Sequence, residues 1–269
     1  MFRWVKAERE MLHPSILRGK LQHLNVVGRG TSAKVSLSLY GGMYVAVKEL
    51  RDESRLREAK WECEVLAKLK HPNIVRLLGC DFSAPPIVVT RFIGDPNHER
   101  SLTIYECLRQ KSFPHLVPFW IHILTQISDA LLYLHVNARI VHNDLKTDNV
   151  VLEQSPVASS PNYSATIIDF GKAALIGINY ATPALSSEQQ KEHSRRFPHV
   201  APELWKGVNP TPASDMFSFG HLMQVICTVL EDQSMACFYN RCKNINLESR
   251  PSAGSCLAYL NSYKYQCKS

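Results

Sequence analysis

A short polar segment enclosed by two apolar ones constrains this chain most. Residues 140–152 read IVHNDLKTDNVVL. Before them, residues 121–135 repeat apolar side chains at spacings of three and four, which predicts an amphipathic helix. The β-branched end of the segment predicts a buried strand. Its polar residues, Asp144, Lys146 and Asn149, are therefore expected in a loop at a helix-to-strand junction.

The polar side chains of this loop admit two interpretations. Asp144 could accept a proton, Lys146 could bind a phosphate, and Asn149 could ligate a metal ion. Aspartate and asparagine also populate ordinary surface turns, and for an isolated D-x-K-x-x-N pattern the surface turn is the commoner case. Which interpretation holds depends on what else the chain carries.

The overall composition is that of an ordinary globular protein. The chain has 269 residues, 45% of them apolar and 20% charged, enough for one large domain or two lobes with separate cores. No uncharged apolar stretch approaches the ~18 residues that a membrane span needs. Charges scattered over residues 1–12 interrupt any apolar core of a signal peptide. We therefore expect an intracellular protein, in the cytoplasm, without a membrane span.

Cysteine and charge patterns add two expectations. The eight cysteines contain no CxxC pair and mostly have apolar neighbours, which predicts reduced, largely buried thiols. The formal net charge of +7 favours an anionic partner. Because lysines and arginines are dispersed and not interleaved with aromatic residues, the charge does not select among a nucleotide, an acidic peptide and a nucleic acid.

The first part of the chain has the pattern of strands. Residues 24–39 alternate apolar and polar side chains around a turn with Gly28 and Gly30, whose N–H groups could approach a phosphate. Taken alone, a G-x-G turn is more often a plain hairpin. Gly41 and Gly42 predict a second turn.

Lys48 ends the apolar run 44–48. Because burying an ammonium group is costly unless it is paired, Lys48 lies either at the solvent end of a strand or beside an anion. The exposed position is the commoner of the two. The pattern of residues 53–70 predicts a helix that could offer Glu62 as the partner, and residues 74–79 predict the next strand.

Strands dominate before Gly94 and Pro96, and helices after them, which is an α+β order with a lobe boundary at these residues. In the second part, the predicted strand 165–168 ends in the sequence DFG. Its carboxylate, Asp169, together with the acid and amide of the polar loop, would suit magnesium, which takes a few oxygen ligands plus phosphate.

In this order and spacing, the motifs resemble the eukaryotic protein kinase domain over residues 24–260. The motifs are, in chain order, Gly28, Gly30, Ala33 and Val35 of a glycine-rich loop, VAVK ending at Lys48, Glu62, HPNIVRLLG, HNDLKTDN, DFG, Ala201-Pro202-Glu203, the helix start at Ser214-Asp215, and Arg250-Pro251-Ser252. The resemblance implies a bilobal, kinase-like α+β fold in a single domain, with residues 1–93 as a β-rich N-lobe and 94–269 as a mainly helical C-lobe. It also implies that Arg250 pairs with Glu203.

The resemblance implies transfer of the γ-phosphoryl group of ATP to a protein hydroxyl, with Mg2+. Asp144 would orient and deprotonate the hydroxyl, and Lys146 would hold the γ-phosphate. Asn149 and Asp169 would bind magnesium. The implied partners are therefore a nucleotide and a protein substrate, and no nucleic acid is expected among them.

The remaining implied site residues bind the nucleotide. Lys48 would grip the α- and β-phosphates and would be kept in place by Glu62. The other residues implied for ATP are Val27, Gly28 and Gly30 in the glycine-rich loop, Val35, Ala46 and Val151 around the adenine, Thr90 as gatekeeper, and Phe92 and Ile93 in the hinge.

The sequence departs from the kinase pattern in several places. Asn143 stands where the family usually has the arginine of HRD, which argues against control through a phosphate on the activation segment. Ala33 replaces the third glycine, a mild change. Lys146 favours serine and threonine over tyrosine as acceptors, whereas LLG at residues 77–79 and RPS at residues 250–252 are common in tyrosine and tyrosine-kinase-like groups. On balance we expect serine or threonine. Residues 220–250 are few for the helices that dock substrates, which implies a reduced peptide surface or a docking partner.

Two other functions remain open from the sequence. A pseudokinase or ATP-binding scaffold would account for Asn143, Ala33 and the short segment 220–250. A small-molecule phosphotransferase would use the same loop chemistry, but such enzymes generally lack the APE and late RPS motifs that this chain carries.

Overall fold

The computed structural model describes residues 14–30, 33–95, 97, 99–110, 113–114, 116–154 and 163–266. It divides into two compact units. The first contains the described residues up to Leu69 together with Arg76–Phe92, and the second contains Lys70–Val75 and the described residues from Ile93 onward. The first unit is rich in strands and the second in helices, which confirms the predicted bilobal α+β class. Pro96, one of the two predicted boundary residues, lies outside the described residues.

The first unit is built on an antiparallel sheet. Its strands are β1 (Leu21–Arg29), β2 (Ala33–Tyr40), β3 (Met43–Leu50), β4 (Leu77–Asp81) and β5 (Ile87–Arg91). They form a five-stranded sheet in the order β1-β2-β3-β5-β4. Gly41 and Gly42, with φ of 57° and 80°, make the predicted turn between β2 and β3. Glycine adopts these left-handed values without steric cost.

The helix of the first unit, α1 (Leu56–Leu66), is shorter than the predicted span 53–70. A 3-10 turn precedes it, and its inward face buries Ala59, Glu62, Cys63, Val65 and Leu66. The strand predicted at 74–79 begins late, at Leu77. Its first residues have other partners, since Ile74 bridges Ile167 and the N–H of Val75 donates to the carbonyl of Ile167 at 3.0 Å.

The second unit combines short sheets with helices. Its elements are β6 (Leu102–Thr103), α2 (Ile104–Arg109), α3 (Val117–Leu132), β7 (Ile140–Val141), β8 (Val150–Gln154), β9 (Tyr163–Ile167), β10 (Ala174–Leu175), α4 (Ser187–Arg196), α5 (Pro202–Trp205), α6 (Pro212–Val229), α7 (Ala236–Cys242) and α8 (Ala253–Gln266). One sheet has the order β6-β8-β9, and β7 pairs with β10.

Helix α3 is the core helix of the second unit and confirms the predicted amphipathic helix. The predicted apolar positions Ile121, Leu124, Ile127 and Leu131 are all 0% exposed. A π-helical turn extends the helix to Ala138. The polar segment of the sequence follows directly, with β7 at its start and β8 at its end.

The extended helix Val117–Ala138 is long and apolar enough to cross a membrane by length and composition alone. Among its residues only Asp129 carries a full charge, so the expectation that no stretch approaches a span overlooked this segment. In the structure, 50% of its most apolar window is buried inside the unit, and the core helix of a globular protein passes the same test.

The cysteines of the described residues are free thiols, and Cys237 is the exposed one among them. Cys242 and Cys256 are buried side by side, with their Sγ atoms 3.8 Å apart. The hydrogen bond between the two sulfurs, together with burial, raises the pKa of the Cys256 thiol. The burial of the described cysteines other than Cys237 agrees with the prediction of largely buried thiols. Cys267 lies outside the described residues.

Helices α6 and α7 pack closely because Gly220 has no side chain. A β-carbon at Gly220 would lie 2.6 Å from the β-carbon of Cys242 and 2.9 Å from the carbonyl oxygen of Tyr239. Both distances are shorter than van der Waals contact, so only glycine fits here without displacement. The short stretch between α6 and α8 therefore folds back directly onto α6 through the seven residues of α7.

We expect Gly220→Ala to destabilise the protein by about 1–3 kcal/mol, because the added methyl group forces α6 and α7 apart. The free energy of unfolding, measured by urea denaturation, checks this. Gly254→Ala in α8 is the matched control: its β-carbon would meet Leu132 at an ordinary 3.6 Å. That change should be neutral or stabilising by up to about 1 kcal/mol. Equal effects of the two substitutions would contradict the packing argument.

Candidate active site

A buried carboxylate in α6 holds the backbone of the polar loop. Asp215 is 0% exposed. Its Oδ2 accepts hydrogen bonds from the N–H of His142 at 2.8 Å and from Nε2 of His135 at 2.9 Å, and its Oδ1 accepts from the N–H of Asn143 at 2.9 Å. A carboxylate this deep needs such donors. In the sequence, Asp215 stands out as part of a motif and as a lone acid before an apolar helix run, but its contacts with the loop are not apparent there.

Asn143 links the loop to the segment after DFG. Its φ is 63°, in the left-handed region that asparagine tolerates better than most residues. Its Nδ2 donates to the carbonyl oxygen of Lys172 at 3.0 Å. The residue that replaces the family's arginine therefore makes a neutral contact with backbone.

His142 also links the polar loop to the DFG segment, through its two ring nitrogens. Its Nδ1 accepts from the N–H of Asp144 at 3.3 Å, and its Nε2 donates to the carbonyl oxygen of Ile168 at 3.0 Å. Its ring meets the ring of Phe170 edge-on, with centroids 4.7 Å apart. These contacts fix the backbone on which Asp144 is carried.

Four side chains surround the carboxylate of Asp144. Oδ2 lies 3.3 Å from Nζ of Lys146 and 3.3 Å from Nδ2 of Asn149. Oδ1 lies 3.2 Å from Nζ of Lys172 and 3.5 Å from Nε2 of His199. The structure thus brings together Asp144, Lys146 and Asn149 as predicted, and it adds two residues that the sequence analysis did not name.

These neighbours determine the charge state of the acid. Burial by itself would raise the pKa of Asp144, but the hydrogen bond with His199 and the positive charges of Lys172 and Lys146 outweigh it. They hold the pKa of Asp144 well below its usual range. At neutral pH this group is an anion that can orient a donor.

Asn149 and Asp169, the two predicted magnesium ligands, lie on adjacent segments of the second unit. Nδ2 of Asn149 also donates to the carbonyl oxygen of Asp144 at 2.8 Å, which turns its Oδ1 away from that residue. The carbonyl of Asn149 accepts from the N–H of Ile168 at 3.0 Å, so Asp169 follows on the adjacent segment. The backbone of Asp169 is left-handed, with φ of 63°.

One carboxylate and one amide oxygen suit magnesium better than they suit a metal ion that is held entirely by protein side chains. Within the described parts of the chain, no group of three or more His, Cys, Asp and Glu side chains could hold a metal ion. Magnesium needs few protein ligands when phosphate and water complete its coordination. Asn149 and Asp169 have the chemistry for such a site.

In the first unit, Lys48 is paired. Its Nζ lies 2.8 Å from Oε2 of Glu62, and the two side chains are 16% and 4% exposed. The sequence left open whether Lys48 lies at an exposed strand end, and the structure selects the paired alternative. Burial of both groups requires this partnership.

The residues predicted to bind the nucleotide divide between the units. Across the sheet of the first unit, Gly28 lies opposite Val35 and Ala46 lies opposite Thr90. The N–H of Gly30 donates to the carbonyl of Ala33 at 2.9 Å. Thr31 and Ser32 of the glycine-rich loop lie outside the described residues.

The other predicted nucleotide residues also divide between the two units. Val27 is half-buried in β1, and Phe92 is the last residue of the first unit. Ile93 and Val151 belong to the second unit and are buried, Val151 within β8. Their role in binding ATP stays a prediction.

A bidentate ion pair anchors α5, which directly follows the segment that carries His199. Nη1 and Nη2 of Arg250 donate to Oε1 and Oε2 of Glu203 at 2.6 and 2.8 Å. The Arg250 side chain is 0% exposed. It also donates to the carbonyls of Ala213 and Asn244. The predicted pairing of these residues is confirmed.

The sequence model of the protein tyrosine and serine/threonine kinase family matches residues 21–260. The match covers most of the chain and includes the loop, the DFG segment and the Glu203–Arg250 pair. The chain therefore belongs to this protein kinase family.

Similar curated proteins include receptor-like kinases of Arabidopsis thaliana. Cysteine-rich receptor-like protein kinase 14 is 31% identical over 214 residues, which are 77% of this chain and 30% of that protein. Wall-associated receptor kinase-like 4 is 30% identical over 211 residues, 76% of this chain and 25% of that protein. The chain thus spans less than a third of the length of these relatives.

We expect Asp215→Ala to cost about 3 kcal/mol or more, because it leaves two buried N–H groups of the loop without an acceptor. Urea denaturation measures the loss. Asp129→Ala is the control, since Asp129 pairs with His71 at 3.4 Å but its side chain is 51% exposed. That exposed pair should contribute about 1 kcal/mol or less. A similarly small loss for Asp215→Ala would contradict the role of Asp215 as the anchor.

Proposed function

We propose that this chain is an active protein kinase that transfers the γ-phosphoryl group of ATP to serine or threonine hydroxyls. The observation that carries the proposal is the arrangement around Asp144, whose carboxylate is buried, anionic and held by Lys146 and Asn149. Membership in the kinase family supports the same reaction. Transfer of a phosphoryl group depends mainly on positioning and on neutralisation of charge.

The residues of the second unit have distinct tasks in this proposal. Asp144 orients the acceptor hydroxyl, because a carboxylate with a lowered pKa stays ionised and accepts hydrogen bonds. Since such a carboxylate is a weak base, it takes up the hydroxyl proton only as transfer completes. Lys146, whose side chain is 31% exposed, is free enough to contact the γ-phosphate. Asn149 and Asp169 hold magnesium, which would neutralise charge on the phosphates.

Lys48 has the remaining task. Its ammonium group binds the α- and β-phosphates, and Glu62 keeps it at the end of the apolar run of β3. The preference for serine and threonine rests on Lys146, which is placed two residues after Asp144 as in serine/threonine kinases.

Transfer of label from radioactive ATP to generic protein acceptors, with magnesium present, tests the proposal. The wild-type chain should label the acceptor, and Asp144→Asn should lower the rate on the order of 10²-fold. Phosphoamino-acid analysis of the product should give phosphoserine or phosphothreonine. No label above that of Asp144→Asn would remove the proposed activity, and phosphotyrosine alone would correct the acceptor class.

The second candidate function is an ATP-binding pseudokinase. It is favoured by Asn143, which contacts backbone instead of a phosphate-reading site, and by the short α7 between α6 and α8. A pseudokinase would gain thermal stability with ATP but transfer no phosphate. Measured turnover would exclude it.

We propose further that the domain acts inside the cell and that a partner protein supplies part of the substrate-docking surface. The free thiols of the described residues support the first statement, and the seven-residue α7 supports the second. Protease protection of the native protein in intact cells tests the location. Much faster transfer to an intact protein substrate in the presence of a co-purified partner would support the docking proposal, and equal transfer without one would contradict it.

A further inference from the structure

Outside the predicted catalytic groups, His199 contacts the carboxylate of Asp144. It lies between α4 and α5, and its Nε2 is 3.5 Å from Oδ1 of Asp144 with 13% of the side chain exposed. We infer that His199 is a positioning residue, which holds the carboxylate of Asp144 in the orientation that receives the acceptor hydroxyl. The inference rests on the proposed kinase function of this site.

The backbone of His199 is fixed by the same helix that fixes the loop. Ser218 of α6 donates its hydroxyl to the carbonyl oxygen of His199 at 2.7 Å. One turn earlier in α6, Asp215 accepts the N–H groups of His142 and Asn143. Helix α6 therefore fixes the backbone on both sides of the contact between His199 and Asp144.

The ring of His199 is held by aromatic neighbours. It meets the ring of Phe197 nearly at a right angle, with centroids 6.4 Å apart, and the ring of His221 lies 6.5 Å away. The N–H of Val200 donates to the carbonyl of Phe197 at 3.0 Å, which closes a tight turn around His199. The segment then enters α5, where Glu203 is fixed by Arg250.

The two donors on Oδ1 of Asp144 differ in mobility. The Lys172 side chain is 65% exposed, so it can leave with little loss of packing, whereas the His199 side chain is 13% exposed. Oδ2 is already held by Lys146 and Asn149. Buried Asn149 contacts Oδ2, and His199 in its Nε2–H form is the less mobile donor on Oδ1, so these two residues together restrict rotation of the carboxylate. Fixing the angle of this group matters because small misplacements at a reacting centre cost large factors in rate.

His199→Phe and His199→Gln test the inference. Phenylalanine keeps the ring packing and removes the donor, so we expect kcat to fall about tenfold or more while KM for ATP stays unchanged. Glutamine carries an amide N–H that can reach Oδ1, so it should restore kcat to within about threefold of wild type. A purely packing role predicts the opposite order, with phenylalanine better than glutamine.

His193→Phe is the matched control. His193 lies in the same segment and packs against Trp205 with ring centroids 5.2 Å apart, and its Nδ1 contacts a backbone carbonyl of its own helix. Its substitution should leave kcat within about twofold of wild type. Transfer by the wild-type chain with an unchanged kcat for His199→Phe would overturn the positioning role alone. No transfer by the wild-type chain would overturn the proposed function and this role with it.

A double-mutant cycle examines the contact without relying on activity. The thermal midpoints of Asp144→Ala, His199→Phe and the double variant are compared with wild type. If the two side chains interact, the loss caused by His199→Phe should be smaller when Asp144 is already alanine. Strictly additive losses would show that the pair does not interact and would overturn the inference.

Discussion

The buried carboxylate of Asp215 is the interaction on which the second unit depends. It accepts hydrogen bonds from two consecutive backbone N–H groups of the loop and from Nε2 of His135, and it is fully buried. Because two donors come from adjacent residues, the direction of the chain at Asn143 is fixed as well as its position. The left-handed backbone there turns the next residue, Asp144, toward the groups that hold its carboxylate.

Other buried charges serve the same purpose. Glu203 and Arg250 form a bidentate pair at the end of the segment that carries His199, and Lys48 pairs with Glu62 in the first unit. Buried ion pairs add little net stability compared with apolar packing, but they are intolerant of misplacement. We interpret them as devices that fix geometry, which is what phosphoryl transfer requires of a protein.

The sequence predicted the elements of the site better than its connections. The loop around Asp144 could be located because a helical pattern, a polar segment and a β-branched run follow one another directly. The state of Lys48 could not be decided, since pattern alone does not show which way Glu62 turns. The contacts of Asp215 and of His199 were missed because they join residues far apart in the chain, and no local period reports such contacts. The apolar length of α3 with its π-helical extension was also underestimated. This helix contains a single full charge and therefore has the length and composition of a membrane helix.

The contacts of Asp215 and Asp144 imply that the Asp144 carboxylate is already positioned in the nucleotide-free, unphosphorylated protein. Amide hydrogen exchange at His142 and Asn143, measured on the unphosphorylated, nucleotide-free chain, tests it most directly. If Asp215 holds these N–H groups as described, they should exchange only through large-scale opening, at rates close to those of the core of α3. Exchange as fast as that of exposed loop amides would show that the loop is not preformed and would contradict the claim.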